Sequence, residues 1–197
     1  IDTLFENPAQ QNNVPQSTPA QIYAFIENDL TFAASVLPLR WDAKFVGRAT
    51  SGAANGLLAK VYLTQQKWAQ AMAAANAVIT SNQYNLSTPY DKIFREEGEN
   101  SPESVFEVQA TASTAIPTAN GLQYAQIQGV RGSGVWDLGW GWNTPSENLD
   151  NAYEPNDPRR ARTILYTSPG STTIYGEALP AGLPNPRYNN KVYTNPA

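Results

Sequence analysis

Between Arg48 and Thr80, apolar positions recur with helical spacing on both sides of one short polar break. In the first half Ala54, Leu57, Leu58, Val61 and Tyr62 fall at i, i+3, i+4, i+7 and i+8, a single stripe on a helix of 3.6 residues per turn. Thr50 or Ser51 stands where that helix needs an N-cap. In the second half Trp68, Ala71, Met72, Ala75, Val78 and Ile79 repeat the spacing, and the break Thr64-Gln65-Gln66 is short enough to force an antiparallel pair. The pattern predicts a helical hairpin. Upstream, Thr18, Pro19 and Gln21 form a capping box with proline at the first helical position. Ile22, Phe25, Ile26, Leu30, Ala33 and Leu37 give that helix one apolar face, expected to pack on the hairpin, and Pro38 ends it. Trp41, Lys44 and Phe45 lie in the link to the hairpin, where the aromatics read as a buried anchor for the turn.

The residue types narrow the kind of hairpin. With Tyr62 at the tyrosine of the tetratricopeptide pattern, Leu58 and Ala59 take its leucine and small-residue positions, Trp68 opens the second helix and Ala71 takes its alanine. Ala75 replaces a bulky aromatic, so a neighbouring helix is expected to approach closely at Ala71 and Ala75. One such hairpin cannot bury both of its faces; roughly three repeats make a stable stack.

The periodicity divides the rest of the chain. Residues 1–17 read as a lead-in loop, residues 18–86 as the helical, tetratricopeptide-like part, and residues 87–197 as an irregular, loop-rich part with short strands. The fold class is therefore mainly α. Ser104 to Ala110 alternates Phe106 and Val108 with Glu107 and Gln109, the signature of a half-buried strand, and Thr163 to Thr167 suggests another. Ser146 and Asp157 can each cap a short helical turn, the second with Pro158 at its first position and Arg159 paired locally to Asp157. From Thr111 to Gly129 no period is visible, and the proline-rich remainder after Thr167 reads as loop.

One stretch of the irregular part carries candidate chemistry. In VRGSGVWDLGWGWNTP, glycines 132, 134, 139 and 141 interleave with Trp136, Trp140 and Trp142, too glycine-rich for a regular helix. Indole faces suit the apolar C–H faces of sugar rings, and Arg131, Asp137 and Asn143 can satisfy hydroxyls. Trp136, Asp137, Trp140, Trp142 and Asn143 are the candidate ligand-binding residues, with Tyr124 and Arg131 as weaker ones. The alternative is that the tryptophans cover the open side of the helical stack, although a contiguous exposed aromatic patch usually marks a binding site.

Three runs in this order, GRATSGAANGLLAKVYLTQQKWAQAMAAANAVITSNQYNL, PESVFEVQ and PSENLDNAYEPNDPRRARTI, resemble the central part of SusD/RagB-like proteins, the nutrient-binding outer-membrane lipoproteins of the Bacteroidetes. The resemblance covers roughly Thr18 to Leu165. Members of that family are longer, so the sequence reads as an internal fragment of one larger SusD-like domain, with further repeats on both sides. The resemblance implies a cell-surface nutrient-binding protein, its ligand a glycan or another nutrient, that passes it to a TonB-dependent, SusC-like transporter. It also implies a lipid anchor outside this chain. Family sites are built from variable loops, so no binding residue transfers by motif.

Composition closes several other routes. With 17 acidic against 13 basic residues, a formal charge of −4 and pI near 4.8, the chain lacks the basic footprint of a nucleic-acid binder. It has no cysteine and no histidine, which removes disulfides, thiol nucleophiles, imidazole or thiolate zinc sites and His-based triads. Glu96, Glu97 and Glu99 surround Gly98, but without the alternating form of a dedicated calcium loop they read as a solvated acidic turn. No apolar run approaches the ~20 residues of a membrane-spanning helix. Gly47 to Gly52 imitates a phosphate loop, but Ala53 and Ala54 replace its Lys and Ser/Thr. The expectation is a binding protein with no catalytic residues, no cofactor and no metal. Two alternatives remain: a carboxylate-pair glycoside hydrolase, which needs two acids at a defined separation, and a tetratricopeptide scaffold for protein interaction.

Overall fold

In the computed structural model, residues 7–9, 15–110, 115 and 123–194 are described, 123–125 by their backbone alone. The lead-in expected over residues 1–17 and the aperiodic stretch from Thr111 lie largely outside them. The chain folds as two compact units, Ile1–Asn85 and Leu86–Ala197.

The first unit is helical and follows the capping signals closely. Helix α1, Pro19–Val36, starts at the full capping box: Thr18 Oγ1 accepts from Gln21 N–H, and the Gln21 side chain accepts from Thr18 N–H at 2.9 Å. Helix α2, Ser51–Thr64, is capped by Thr50, whose Oγ1 accepts from Ala53 N–H at 3.1 Å and meets the Tyr84 hydroxyl at 3.0 Å. Helix α3, Trp68–Thr80, follows a turn in which Gln66 takes a left-handed φ of 60°. The hairpin is therefore α2–α3, and α1 packs on α2 as expected. Glu27 of α1 binds the turn itself, accepting from Gln65 Nε2 at 2.6 Å and Lys67 Nζ at 2.5 Å. The Lys67 hydrogen bond, helped by Gln65, lowers the Glu27 pKa. In the link, Trp41 Nε1 donates to Ala49 O at 2.8 Å, and the Arg48 guanidinium lies 4.0 Å from the Phe45 ring centroid.

The buried seam is narrower than the apolar stripes. Ala53, Ala54 and Leu58 of α2 face Ala71 and Ala74 of α3, so the close approach runs through Ala71 and Ala74, with Ala75 half-buried. Gly52 leaves room for Tyr84, whose ring a Cβ there would overlap. Leu57, Trp68, Met72 and Ile79, read as core positions, are exposed. On α1 no residue is fully buried, and Phe25 and Phe32 are exposed.

The second unit is built around a two-stranded antiparallel ribbon. Strand β1, Ile164–Tyr166, pairs with β2, Arg187–Asn189, with Leu165 opposite Tyr188. Val130, Leu165, Tyr188 and Tyr193 form its core, with Trp136, Leu138, Ile174, Leu179 and Leu183 packed against it. Three short helices surround the ribbon: α4, Gln123–Gln128, α5, Glu147–Asn151, and α6, Pro158–Thr163. Ser146 and Asp157 cap α5 and α6, and Arg159 Nη2 pairs with Asp157 at 2.6 Å. Strand β2 and helix α4 arise where the sequence showed only loop and no period. The strand expected over Ser104 to Ala110 does not form, and Val108 is 85% exposed. Side chains take the place of a ladder there: the Glu107 carboxylate accepts from Asn100 N–H and Ser104 Oγ, and Asn100 and Gln109 exchange two amide hydrogen bonds at 3.0 Å. The acidic Glu96–Gly98 segment is a 3-10 turn.

Candidate functional site

The glycines of the tryptophan segment have a specific task. Helix α4 ends with carbonyls that have no partner inside the helix. Residues 138–142 run past that end and supply the partners: Trp140 N–H donates to Gln126 O at 3.1 Å, Trp142 N–H to Ile127 O at 3.1 Å, and Gly141 N–H to Gly129 O at 3.0 Å. Leu138 N–H closes the series on Val130 O at 3.0 Å. For the two backbones to come this close, Gly129 and Gly139 must face each other without side chains. A Cβ on Gly139 would stand 2.7 Å from Gly129 Cα. Gly141 adds a left-handed φ of 67°.

The turn at Gly141 and the bonds around it set the tryptophans. Trp140 and Trp142 project outward, 55% and 60% exposed, as an edge-to-face pair with ring centroids 5.5 Å apart. Trp136, at the end of a 3-10 turn Gly134–Trp136, is half-buried against the core. The structure thus divides the three indoles into an exposed pair and a packed neighbour. Asp137 closes the turn and is exposed. Asn143 directs its amide nitrogen to Gln128 Oε1 at 2.6 Å, and Asn189 of β2 donates to the same oxygen at 2.8 Å. Gln128, almost fully buried, therefore ties the tryptophan segment to the ribbon. Tyr124 lies in α4; its side chain is outside the described set.

Arg131 stands at a junction. Its carbonyl accepts from the hydroxyl of fully buried Tyr188 at 3.0 Å, and its Cβ lies against Gly141, between the two exposed tryptophans. Arg131 also lines an open groove of about 320 Å3, together with Ser133, Trp136 and the segment Pro180 to Pro184.

A second constellation escaped sequence reading. Asp150, 6% exposed, accepts from Arg160 Nε at 2.8 Å, Tyr166 Oη at 2.5 Å and Arg187 Nε at 3.1 Å. The Tyr166 hydrogen bond leads in lowering the Asp150 pKa, with both arginines adding to it. The cluster joins α5, α6, β1 and β2. Arg95 acts similarly from the Asp91 turn, donating to the carbonyls of Asn190 at 3.1 Å and Tyr193 at 3.0 Å. Partners ten and 37 residues apart for Asp150 give no local sequence signal. Among the described residues, no group of three or more carboxylates is arranged to hold a metal ion, and no helix is long and apolar enough to cross a membrane.

Known proteins resemble this arrangement. A SusD-like family model, described as starch-binding associating with outer membrane, matches residues 3–63. A SusD-like protein of Bacteroides ovatus is 32% identical over 117 residues, covering 54% of this chain and 20% of the relative. Over these spans the chain resembles SusD-like proteins. Among solved structures, the surface glycan-binding protein A of Bacteroides thetaiotaomicron superposes on this chain with a TM-score of 0.68 at 25% identity, over 91% of this chain and 43% of that one. The same protein in complex with laminarihexaose gives a TM-score of 0.68 at 24% identity, over 93% and 45%. The chain thus spans a fifth of the curated relative and under half of these solved chains.

Proposed function

We propose that this SusD-like chain is part of a cell-surface protein that captures glycans, with Trp140 and Trp142 as the platform on which sugar rings stack. The observation that carries this reading is the exposed indole pair, held by main-chain hydrogen bonds to the end of α4. Large aromatics left more than half exposed yet fixed in place suit a ligand with apolar ring faces. Exposed Asp137, three residues before Trp140, offers acceptors for hydroxyls, and Asn143 fixes the base of the segment. The laminarihexaose complex of the B. thetaiotaomicron protein makes glycans the first ligands to try. By the same kinship, the whole protein sits at the outer membrane and hands its ligand to a TonB-dependent, SusC-like transporter.

Binding without catalysis is preferred over hydrolysis on electrostatic grounds. A general acid needs a raised carboxyl pKa. Asp150, the buried carboxylate of the second unit, has the reverse, being held ionised by two arginines and a tyrosine. The test is a tryptophan-fluorescence titration with laminarihexaose and a panel of other soluble oligosaccharides, on the wild type and Trp140→Ala. A saturable change that weakens about tenfold or more in the variant, with no reducing ends released, is expected. No response to any sugar overturns the reading.

A further inference from the structure

Of the six arginines in residues 86–197, five have their charge engaged. Arg159, Arg160, Arg162 and Arg187 pair with carboxylates, and Arg95 with main-chain carbonyls. Arg131 differs: among the described residues its guanidinium has neither an ion pair nor a hydrogen bond, and it borders the 320 Å3 groove. It is the one ionisable group of the groove's lining; the remainder is glycine, serine, tryptophan, proline, alanine and leucine. A lining with one cation, a hydroxyl-bearing Ser133, an indole-bearing Trp136 and apolar walls complements a ligand that combines a single negative charge with an apolar ring face. The volume lies at the lower end of the roughly 300–1,000 Å3 of small-molecule sites, room for a ring or two.

Arg131, which lines the groove, also lies against Gly141, the residue between Trp140 and Trp142, where an added Cβ would stand 2.9 Å from Arg131 Cβ. Its position is fixed from beneath by the Tyr188 hydroxyl on the Arg131 carbonyl. We infer that the groove takes the carboxylate-bearing ring of an acidic, uronic-acid-containing glycan, with Arg131 as its counter-ion, while neighbouring rings of the same glycan lie on the tryptophan pair. This rests on the glycan-capture reading and names the class of glycan. The planar guanidinium fork matches a carboxylate with two parallel hydrogen bonds, which a hydroxyl cannot supply.

The test pairs each acidic saccharide with its carboxyl-reduced counterpart: oligogalacturonate, oligomannuronate and glucuronoxylan oligosaccharides. They are titrated calorimetrically against the full chain, Arg131→Gln, Arg131→Lys and Trp140→Ala, each first checked for folding by circular dichroism. At least one acidic member is expected to bind about tenfold more tightly than its reduced form at low salt, as a partly exposed charge-assisted hydrogen bond implies. The preference should fall toward unity in Arg131→Gln, survive in part in Arg131→Lys, and shrink as salt rises. In Trp140→Ala both members should weaken while their ratio holds. Equal binding of every acid and its reduced form, or a preference untouched by Arg131→Gln, overturns the inference and leaves glycan capture standing wherever Trp140→Ala still loses binding. Silence from all saccharides, charged and neutral, removes both.

Discussion

Alanine at Gly139 tests whether the tryptophan segment is held by close backbone contact. The added Cβ would stand 2.7 Å from Gly129 Cα, 2.8 Å from Gly129 N and closer still to Gln126 O, where carbon atoms ordinarily rest about 3.5–4.0 Å apart. All three obstacles are main-chain atoms, so no rotamer change relieves them. The facing turns must part by roughly 1 Å to restore that spacing, which stretches the Trp140 N–H to Gln126 O bond from 3.1 Å beyond useful length. Overpacking costs about 1–3 kcal/mol, and the lost hydrogen bond about 1 kcal/mol. A stiffer unfolded chain returns about 0.4–1 kcal/mol. The net loss is about 2 kcal/mol, or about a 1 M fall in the urea midpoint for a typical slope near 2 kcal/mol/M. Urea unfolding followed by tryptophan emission, in a background with Trp41 and Trp68 replaced by Phe, reports on Trp136, Trp140 and Trp142 alone. Gly170→Ala is the comparison, since its site is open and only its φ of 85° resists a side chain; about 1 kcal/mol is expected there. A Gly139→Ala midpoint within about 0.2 M of wild type would refute the close-approach account.

Thr50→Ala should cost about 1–2 kcal/mol in thermal melts, because it removes the α2 cap and the Tyr84 hydroxyl's partner together, whereas Thr50→Ser should retain most of the stability. The Asp150 cluster predicts an acid limb: its folded pKa lies below the ordinary 3.8. Its stabilisation is therefore present above the unfolded value and lost as pH falls through the depressed folded one. In stability measured from about pH 5 downward, Asp150→Asn should start lower and fall less steeply than wild type; parallel slopes would show that Asp150 does not couple folding to protonation.

The helices of the first unit were legible because their signals are local. Thr18, Pro19 and Gln21 sit within four residues of one another, and the Thr50 cap needs only Ala53. The stripes located the hairpin but overstated its core: Trp68, Met72 and Ile79 have helical spacing yet are exposed, since the spacing could say which face was apolar and not whether anything covered it. In the second unit the controlling contacts are long-range. Strand β2 exists because Tyr188 meets Leu165, 23 residues earlier in the chain, and Gln128 matters because Asn143 and Asn189 both reach it. Neither leaves a periodic trace. Glu107 shows the opposite failure, in which perfect alternation was overruled by a carboxylate binding the Asn100 amide. Of the candidate site, the tryptophan cluster was visible from composition, but its division into an exposed pair and a packed Trp136 depends on which backbone amides the α4 carbonyls claim.

That dependence on amides separates two properties that most binding sites entangle. Trp140 and Trp142 are positioned through their N–H groups, which every residue but proline possesses, so the indoles themselves are not structural members. The segment works like a typeface in a fixed frame. Exchanging either tryptophan for tyrosine, histidine or arginine would alter what the surface reads while the frame of Gly129, Gly139 and Gly141 keeps the letters in line. A library confined to residues 140 and 142, with the glycines untouched, is therefore a direct test of whether the pair sets the ligand preference proposed for this chain, free of refolding.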